Sequence, residues 1–446
     1  MKKTSIALVV LIILCVVLVS CSGSSTTNTN TNTHNTGLKF RVFVSNPLLP
    51  TSSTANTPAL NIVDASKDML NNAVVTFTNG LTTEINNPGL MVESADRKFT
   101  LVYSDSEHSF VIVDNTKEAL STGTGSSTLS SVLLPDSSES MFIGIHNDRA
   151  YAAVPNAPVT AIPPDPGAIK VIDLGTNIIA ATIPVAGVRH IFQSHDGNHI
   201  LALSDNTSTI TMISPSLIGT TTNPIVGTLN TGFDHPVWAI LSSDDSTAYV
   251  LNCGAECGGS VASVAVVDVT HATPVITATI PVPAATMGLL TGSTLYVAGT
   301  PPTYSCTPTG LPNMPCGLVT VVNVGTQTVV SQNDITDGHH TRMEMSANGQ
   351  VFIGAKGCTN IVPTGTSTVS VGCLNILKPS VGALFMPQIG DVTGIQPIDG
   401  RNVVYVCQNH HLWIYDTTTD QLLELQKPTG STGLVGDAVD VKLIDF

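Results

Sequence analysis

The sequence predicts an all-β protein, a single β-propeller of about eight four-stranded blades, on three observations. Val, Thr, Ile, Gly, Pro and Asn are plentiful, only 11% of residues are charged, and no long stretch carries a 3.6-residue apolar period. A short apolar strand ending in Asp or a similar turn former recurs roughly every fifty residues. The two ends of the chain each supply part of a blade that neither completes alone.

The recurring strand reads NIVD (61–64), VIVD (111–114), VIDL (171–174), TMIS (211–214), VVDV (266–269), VVNV (321–324), NIL (375–377) and WIYD (413–416). With Asp64, Asp114, Asp173, Ser214, Asp268, Asn323, Leu377 and Asp416 equivalent, the steps are 50, 59, 41, 54, 55, 54 and 39 residues. That period suits a propeller blade of four strands. Upstream of each anchor lies a second apolar strand, such as LVYS (101–104), LALS (201–204), YVLN (249–252) or FIGA (352–355). It is preceded by a turn, SADR (94–97), SHDG (194–197), SSDD (242–245), SANG (346–349) or PIDG (397–400). Asp, Asn and Gly in those turns accept tight hairpin geometry. The Asp that ends each third strand is placed to accept backbone N–H groups of the following turn, a structural role and not an acid/base one.

These units resemble the repeats of bacterial YVTN-type β-propeller proteins, which carry a tyrosine-containing strand, an S-P-D-G-like turn and a strand ending in V-I-D followed by T-I-x-V. Here the match is seen in VIDL…ATIPV (171–185) and VVDV…ATIPV (266–282), and it extends from Leu38 to Phe446. The resemblance implies the fold and leaves function open, because propellers host many chemistries.

Eight third strands imply eight blades, with seven as the alternative if one unit is misread. The first unit (FRVFVSN, ALNIVDA, AVVTFT) lacks an innermost strand, whereas AVDVKLIDF at the C-terminus is a strand without a blade. Pairing the two closes the ring and removes open edges.

Residues 1–20 have a charged start (Lys2, Lys3) and an apolar run from Ile6 to Val19, shorter than the roughly 20 residues a membrane-spanning helix needs. Leu18-Val19-Ser20-Cys21 resembles the lipobox of bacterial lipoproteins. The resemblance implies cleavage after Ser20, lipidation of Cys21 and attachment to a membrane, the outer one where the cell has two, facing the periplasm or the outside. Residues 22–37 contain no apolar side chain and read as a tether, with a span of roughly 20 Å and a reach of about 50 Å. Cleavage would remove two lysines, leaving 15 basic against 32 acidic residues, a charge of −17. A nucleic-acid partner is therefore not expected.

Six cysteines fall in pairs between the second and third strands of blades 5, 6 and 7: Cys253 with Cys257, Cys306 with Cys316, and Cys358 with Cys373. One pair per loop, in an oxidising compartment, reads as three local disulfides pinning insertions. Metal and redox roles are the alternatives, but zinc needs about four converging ligands and a thioredoxin-like centre needs CxxC at a helix start. Cys407 is left over, a buried residue or a free thiol.

Aligning the turns makes His235 and His339 equivalent at one rim, and His190, Trp238 and Arg342 equivalent three positions on. Two imidazoles, a cation and an indole would then face the channel mouth and bind an anionic or sugar-like ligand, or, with His340, a metal ion; isolated rim residues are the plainer reading. No metal or organic cofactor is expected. No G-x-S-x-G elbow, H-E-x-x-H, EF-hand-like loop or phosphate-cradling G-x-x-x-x-G-K is present. The expectation is a lipid-anchored module binding protein or glycan, with a lactonase-type hydrolase using the channel rim as the alternative.

Overall fold

The computed structural model describes residues 37–445 apart from 39, 51–55, 78–84, 117–128, 159–165, 221, 304–305, 307–315, 360, 365–366, 379, 427–433 and 435. Eight four-stranded antiparallel sheets make up the fold, so it has eight blades and not seven. Blades 2 to 6 and 8 each take four consecutive strands, innermost first; blade 4, for instance, runs His190–Gln193, Ile200–Ser204, Thr209–Ile213 and Ile225–Leu229.

Blade 1 is composite. Its three outer strands, Arg41–Pro50, Asn56–Asp64 and Met69–Thr76, come from the N-terminal side, and its innermost strand, Asp440–Leu443, comes from the other end of the chain. Val42 lies opposite Leu443 and Ser45 opposite Asp440 in that antiparallel pair. The ring closure expected from the two incomplete ends is therefore present.

Each blade is packed face to face with its neighbours, so its middle strands are buried on both sides. Ile200–Ser204 and Val403–Gln408 are buried at every position, which is why these strands read as continuous apolar runs. Outermost strands meet water and alternate, as Ile178–Pro184 and Val275–Pro281 do. Eight apolar clusters fill the eight interfaces between neighbouring blades, the last uniting blade 8 residues such as Tyr405 with blade 1 residues such as Val441. The ring thus draws all eight interfaces from within residues 38–445, with Leu38 and Phe40 packing beside the clusters of blade 1.

The turn chemistry repeats with the blades. Ser94, Ser194, Ser242 and Ser346 each donate through Oγ to Asp96, Asp196, Asp244 and Asn348 at 2.6–2.8 Å. Each also accepts a backbone N–H from the start of the second strand, such as that of Phe99 at 3.0 Å. At the third-strand anchors, Asp64, Asp114, Asp173, Asp268 and Asp416 accept backbone N–H groups at 2.7–3.0 Å. Those turn hydrogen bonds favour the charged form and hold the carboxyls of Asp173, Asp268 and Asp416 below their ordinary range.

Disulfides join Cys253–Cys257, Cys306–Cys316 and Cys358–Cys373, with Cα separations of 5.6, 5.4 and 5.7 Å. Cys407 is free and buried in the second strand of blade 8. The insertion bracketed by Cys358 and Cys373 is not a bare loop: Ile361–Thr364 and Ser367–Ser370 pair as a separate hairpin. Residues 1–36, including Cys21 and the tether, lie outside the described residues. No helix among the described residues is long and apolar enough to cross a membrane.

Candidate functional site

The innermost strands of a propeller all run the same way along the central channel, so position along each strand is depth in the channel. A cavity of about 770 Å³ occupies it. His190 and His339 begin their strands at the mouth, whereas Glu93 and Glu344 sit near the far ends of theirs. Lys442 reaches the same depth from the closing strand Asp440–Leu443.

The mouth is a ring of paired charges. Arg189 makes ion pairs with Glu139 of the preceding blade and with Asp205 at 3.0 Å. His339 faces Glu256 at 3.5 Å. Glu256 stands on the short 3-10 turn Gly254–Cys257, closed by the Cys253–Cys257 bond, and its other oxygen accepts the backbone N–H of Thr300 at 2.6 Å. Cys257 itself borders the cavity. The stapled loops of blades 5 to 7 join second to third strands, which places them at the mouth end.

Five of the six residues singled out at the rim line this cavity: His190, Trp238, His339, His340 and Arg342. His235 does not. It sits at a left-handed φ of 55°, its Nδ1 held 3.0 Å from the Asp234 carboxylate. Gly259 packs on that pair so closely that a Cβ there would lie 2.6 Å from the ring nitrogen. The register alignment with His339 is sound for the backbone, but the side chain turns into the loop instead of the channel.

Burial sets the chemistry of the two interior histidines. His190 is pushed down to about 4 by desolvation, and Asp205 nearby offsets only part of it. His340, 1% exposed, is pushed down to about 3, with the His339 charge adding to the effect of burial. Among the described residues no well-aligned hydrogen bond reaches either ring nitrogen of His340, and the Thr336 backbone opposes the shift only weakly. Both rings are therefore neutral at pH 7, and no group of three His, Cys, Asp or Glu side chains converges as a metal site among the described residues.

Deeper in the channel one wall is apolar and the other is charged. Trp238 and Ile240 of blade 5 and Met287, Leu289 and Leu290 of blade 6 make the apolar side. Arg342 and Glu344 of blade 7, Lys442 of blade 1 and Glu93 of blade 2 make the other. Desolvation raises the Glu93 carboxyl to about 7 against the pull of Lys442 and Arg97, and its Oε2 is buried with no hydrogen-bond partner among the described residues. Glu344 is also raised by burial, opposed by Lys442 and Arg342. The Trp238 indole N–H is likewise buried without an acceptor among the described residues.

Glu93, Glu344 and Lys442 are absent from the residues picked out by turn alignment. The signal for them is a charge set among apolar neighbours in the short windows MVES, MEMS and VKLI of the innermost strands.

No protein-family model matches the sequence, and no curated protein does. Solved structures do. Hydrazine synthase of Kuenenia stuttgartiensis superposes with a TM-score of 0.53 at 14% identity over 78% of this chain and 97% of that one. Dihydro-heme d1 dehydrogenase NirN in complex with DHE gives 0.55 at 11% identity over 91% and 75%. A periplasmic gluconolactonase of Pseudomonas aeruginosa, PpgL, gives 0.49 at 13% identity over 91% and 98%. The likeness is one of fold. At these identities it establishes the propeller and nothing about the ligand.

Proposed function

We propose that the chain is an extracytoplasmic binding module, a propeller carried on a lipid anchor at Cys21 that receives a small ligand in its central channel. The observation that supports this reading is the channel itself, where an apolar wall and polar atoms without a partner among the described residues line a cavity large enough for a ligand of tens of atoms. The lipobox-like Leu18-Val19-Ser20-Cys21 and the polar tether support the anchor, and the three disulfides suit an oxidising compartment. The stapled loops framing the mouth are the place for a protein or glycan partner. Thermal-shift screening of residues 38–446 against soluble metabolites and oligosaccharides tests the reading: a stabilising ligand should lose its effect in Leu290→Trp, which fills the channel. Binding that persists in that variant would put the site elsewhere.

One observation favours the hydrolase alternative. Glu93, its carboxyl balanced near neutral pH in a cleft, has the properties of an acid/base group. Lactone hydrolysis by the purified domain that disappears in Glu93→Gln would establish that reading over simple binding.

A further inference from the structure

In this acidic protein eight of the twelve arginines and lysines among the described residues are matched to a carboxylate, including Arg41, Arg189 and Arg401. Lys170, Lys356, Arg342 and Lys442 are not, and of these four Arg342 and Lys442 line the channel. Arg342 donates Nε to the Thr393 carbonyl and Nη1 to the Thr341 carbonyl, each at 2.9 Å, which orients the guanidinium without neutralising it. The Lys442 side chain makes no hydrogen bond or ion pair among the described residues, although its backbone is paired opposite Phe43 in the closing strand. Both act electrostatically on the Glu344 carboxyl and on the Cys407 thiol, which places them on the same side of the channel.

The carboxyls near these cations form no ion pair with them among the described residues. Glu93 and Glu344 are held toward the neutral form by burial, and Asp440 is engaged by the backbone N–H groups of Met91 at 2.7 Å and Val441 at 2.9 Å. Glu93 Oε2, buried and without a partner among the described residues, has an O–H to donate when protonated. A cationic ligand would meet two cations beside two acids whose charged form burial disfavours. An anion meets two cations and a donor. Opposite stands the apolar wall of Trp238, Ile240 and Leu290, which has no use for a small inorganic ion but suits a carbon skeleton.

We propose that the channel binds an amphipathic organic carboxylate, its anionic end held by Arg342 and Lys442 with Glu93 as a donor, and its apolar body against Trp238, Ile240 and Leu290. This rests on the reading of the channel as a ligand site and names the class of ligand. It also makes binding take up a proton. Glu93 is faced by Lys442, Arg97, Asp399 and Glu344, and adding an anion beside it favours its neutral form. Affinity therefore falls as pH rises through about 7.

Three soluble probes of one shape separate the terms: 4-phenylbutyrate, 4-phenylbutan-1-ol and 4-phenylbutylamine, titrated calorimetrically into residues 38–446 at pH 6 and pH 8. The expected result is one site for 4-phenylbutyrate, at least tenfold tighter than for the alcohol and tighter at pH 6, with no binding of the amine. Lys442→Met and Arg342→Met should each weaken 4-phenylbutyrate at least tenfold, leave the alcohol unchanged and keep a cooperative melt. Equal affinity for acid and alcohol, indifferent to both substitutions, would overturn the carboxylate assignment while leaving a channel ligand site standing. Tighter binding of the amine would invert the sign and overturn it as well. If no probe binds, the carboxylate proposal falls, whereas the binding reading falls only if Leu290→Trp also leaves every ligand from the thermal-shift screen unaffected.

Discussion

Arg41 and Asp445, 404 residues apart, form a fully buried ion pair in which the Arg41 backbone N–H, Nε and Nη2 all donate to the Asp445 carboxylate at 2.8 Å. The arginine also donates to the Asn115 carbonyl at 3.1 Å, and Arg97 donates to the Asp445 carbonyl, so blades 1 and 2 meet at this pair. It stands just beyond the strand pairing of Val42 with Leu443 that closes the ring. Strand pairing brings the two ends together, and the ion pair holds their register.

Removing one member of this pair leaves the other charged and buried, which costs about 3–5 kcal/mol, whereas replacing both with apolar residues can be close to neutral. Arg41→Met should therefore lower stability by that order in urea denaturation, and Arg41→Met with Asp445→Leu should recover much of the loss. Additive losses in the double variant would show that the pair does not act as a unit.

Glu93 gives the channel a pH signature. The folded protein keeps this proton to about pH 7, whereas an ordinary glutamate releases it near 4.5. Between those values the folded state binds more protons than the unfolded one, so this group's contribution to stability falls as pH rises and levels off above 7. The loss is on the order of 2 kcal/mol once screening by channel water is allowed for. Glu93→Gln should match the parent at pH 4 and exceed it by that order at pH 8, measured by denaturant titration. Parallel profiles would place the carboxyl in ordinary solvent.

The fold was legible because its determinants are local and repeated. Serine-led turns such as Ser194-His195-Asp196-Gly197 and strand-ending aspartates such as Asp173 make the same hydrogen bonds in one blade after another, and an unmatched strand at each end has one way to find a partner. The cystines were legible for the same reason of register. The channel was legible only in part. Turn alignment isolates the position four residues before the turn, where His190, Trp238 and Arg342 stand, but Glu344 and Lys442 lie two before the equivalent turn position. Glu93 and Lys442 also come from strands 349 residues apart, and no local spacing records that they meet. His235 was misplaced because a left-handed φ and the close packing of Gly259 turn its side chain away.

The interior histidines act in the opposite pH direction from Glu93. Unfolded, they take up protons below about 6.5; folded, His190 resists to about 4 and His340 to about 3. Stability is thus fully present above 6.5 and is lost as pH falls toward those values, by at most about 1.4 kcal/mol per pH unit for each ring. Against a Glu93→Gln background, where the opposing slope is gone, melting temperature should drop steeply from pH 6.5 to 4. His340→Leu should make that drop shallower. An unchanged slope would mean that His340 already exchanges its proton in the folded state.

The loop NCGAECGG combines a staple with a tight packing surface. Gly254 and Gly258 adopt φ of 60° and 90°, which lets Cys253 and Cys257 meet across one turn. Gly259 is held for a different reason: a Cβ there would come within 1.8 Å of Asp234 Oδ1, and Asp234 in turn accepts the backbone N–H groups of Ser260 and Val261 at 2.7 Å. Gly259→Ala must therefore displace the Asp234 carboxylate and release two amides, a cost on the order of 1–3 kcal/mol. Because the same loop carries Glu256 to the channel mouth, Gly259→Ala should also loosen Glu256 from His339 and raise amide exchange at Thr300, whose N–H it holds. Thiol titration of residues 38–446, which exclude Cys15 and Cys21, gives the control: with the disulfides intact, Cys407 should be the single thiol, closed to reagent in the native protein and open on denaturation. A destabilised Gly259→Ala with that same count would assign the loss to the loop's packing, and a count of three would assign it to a broken staple.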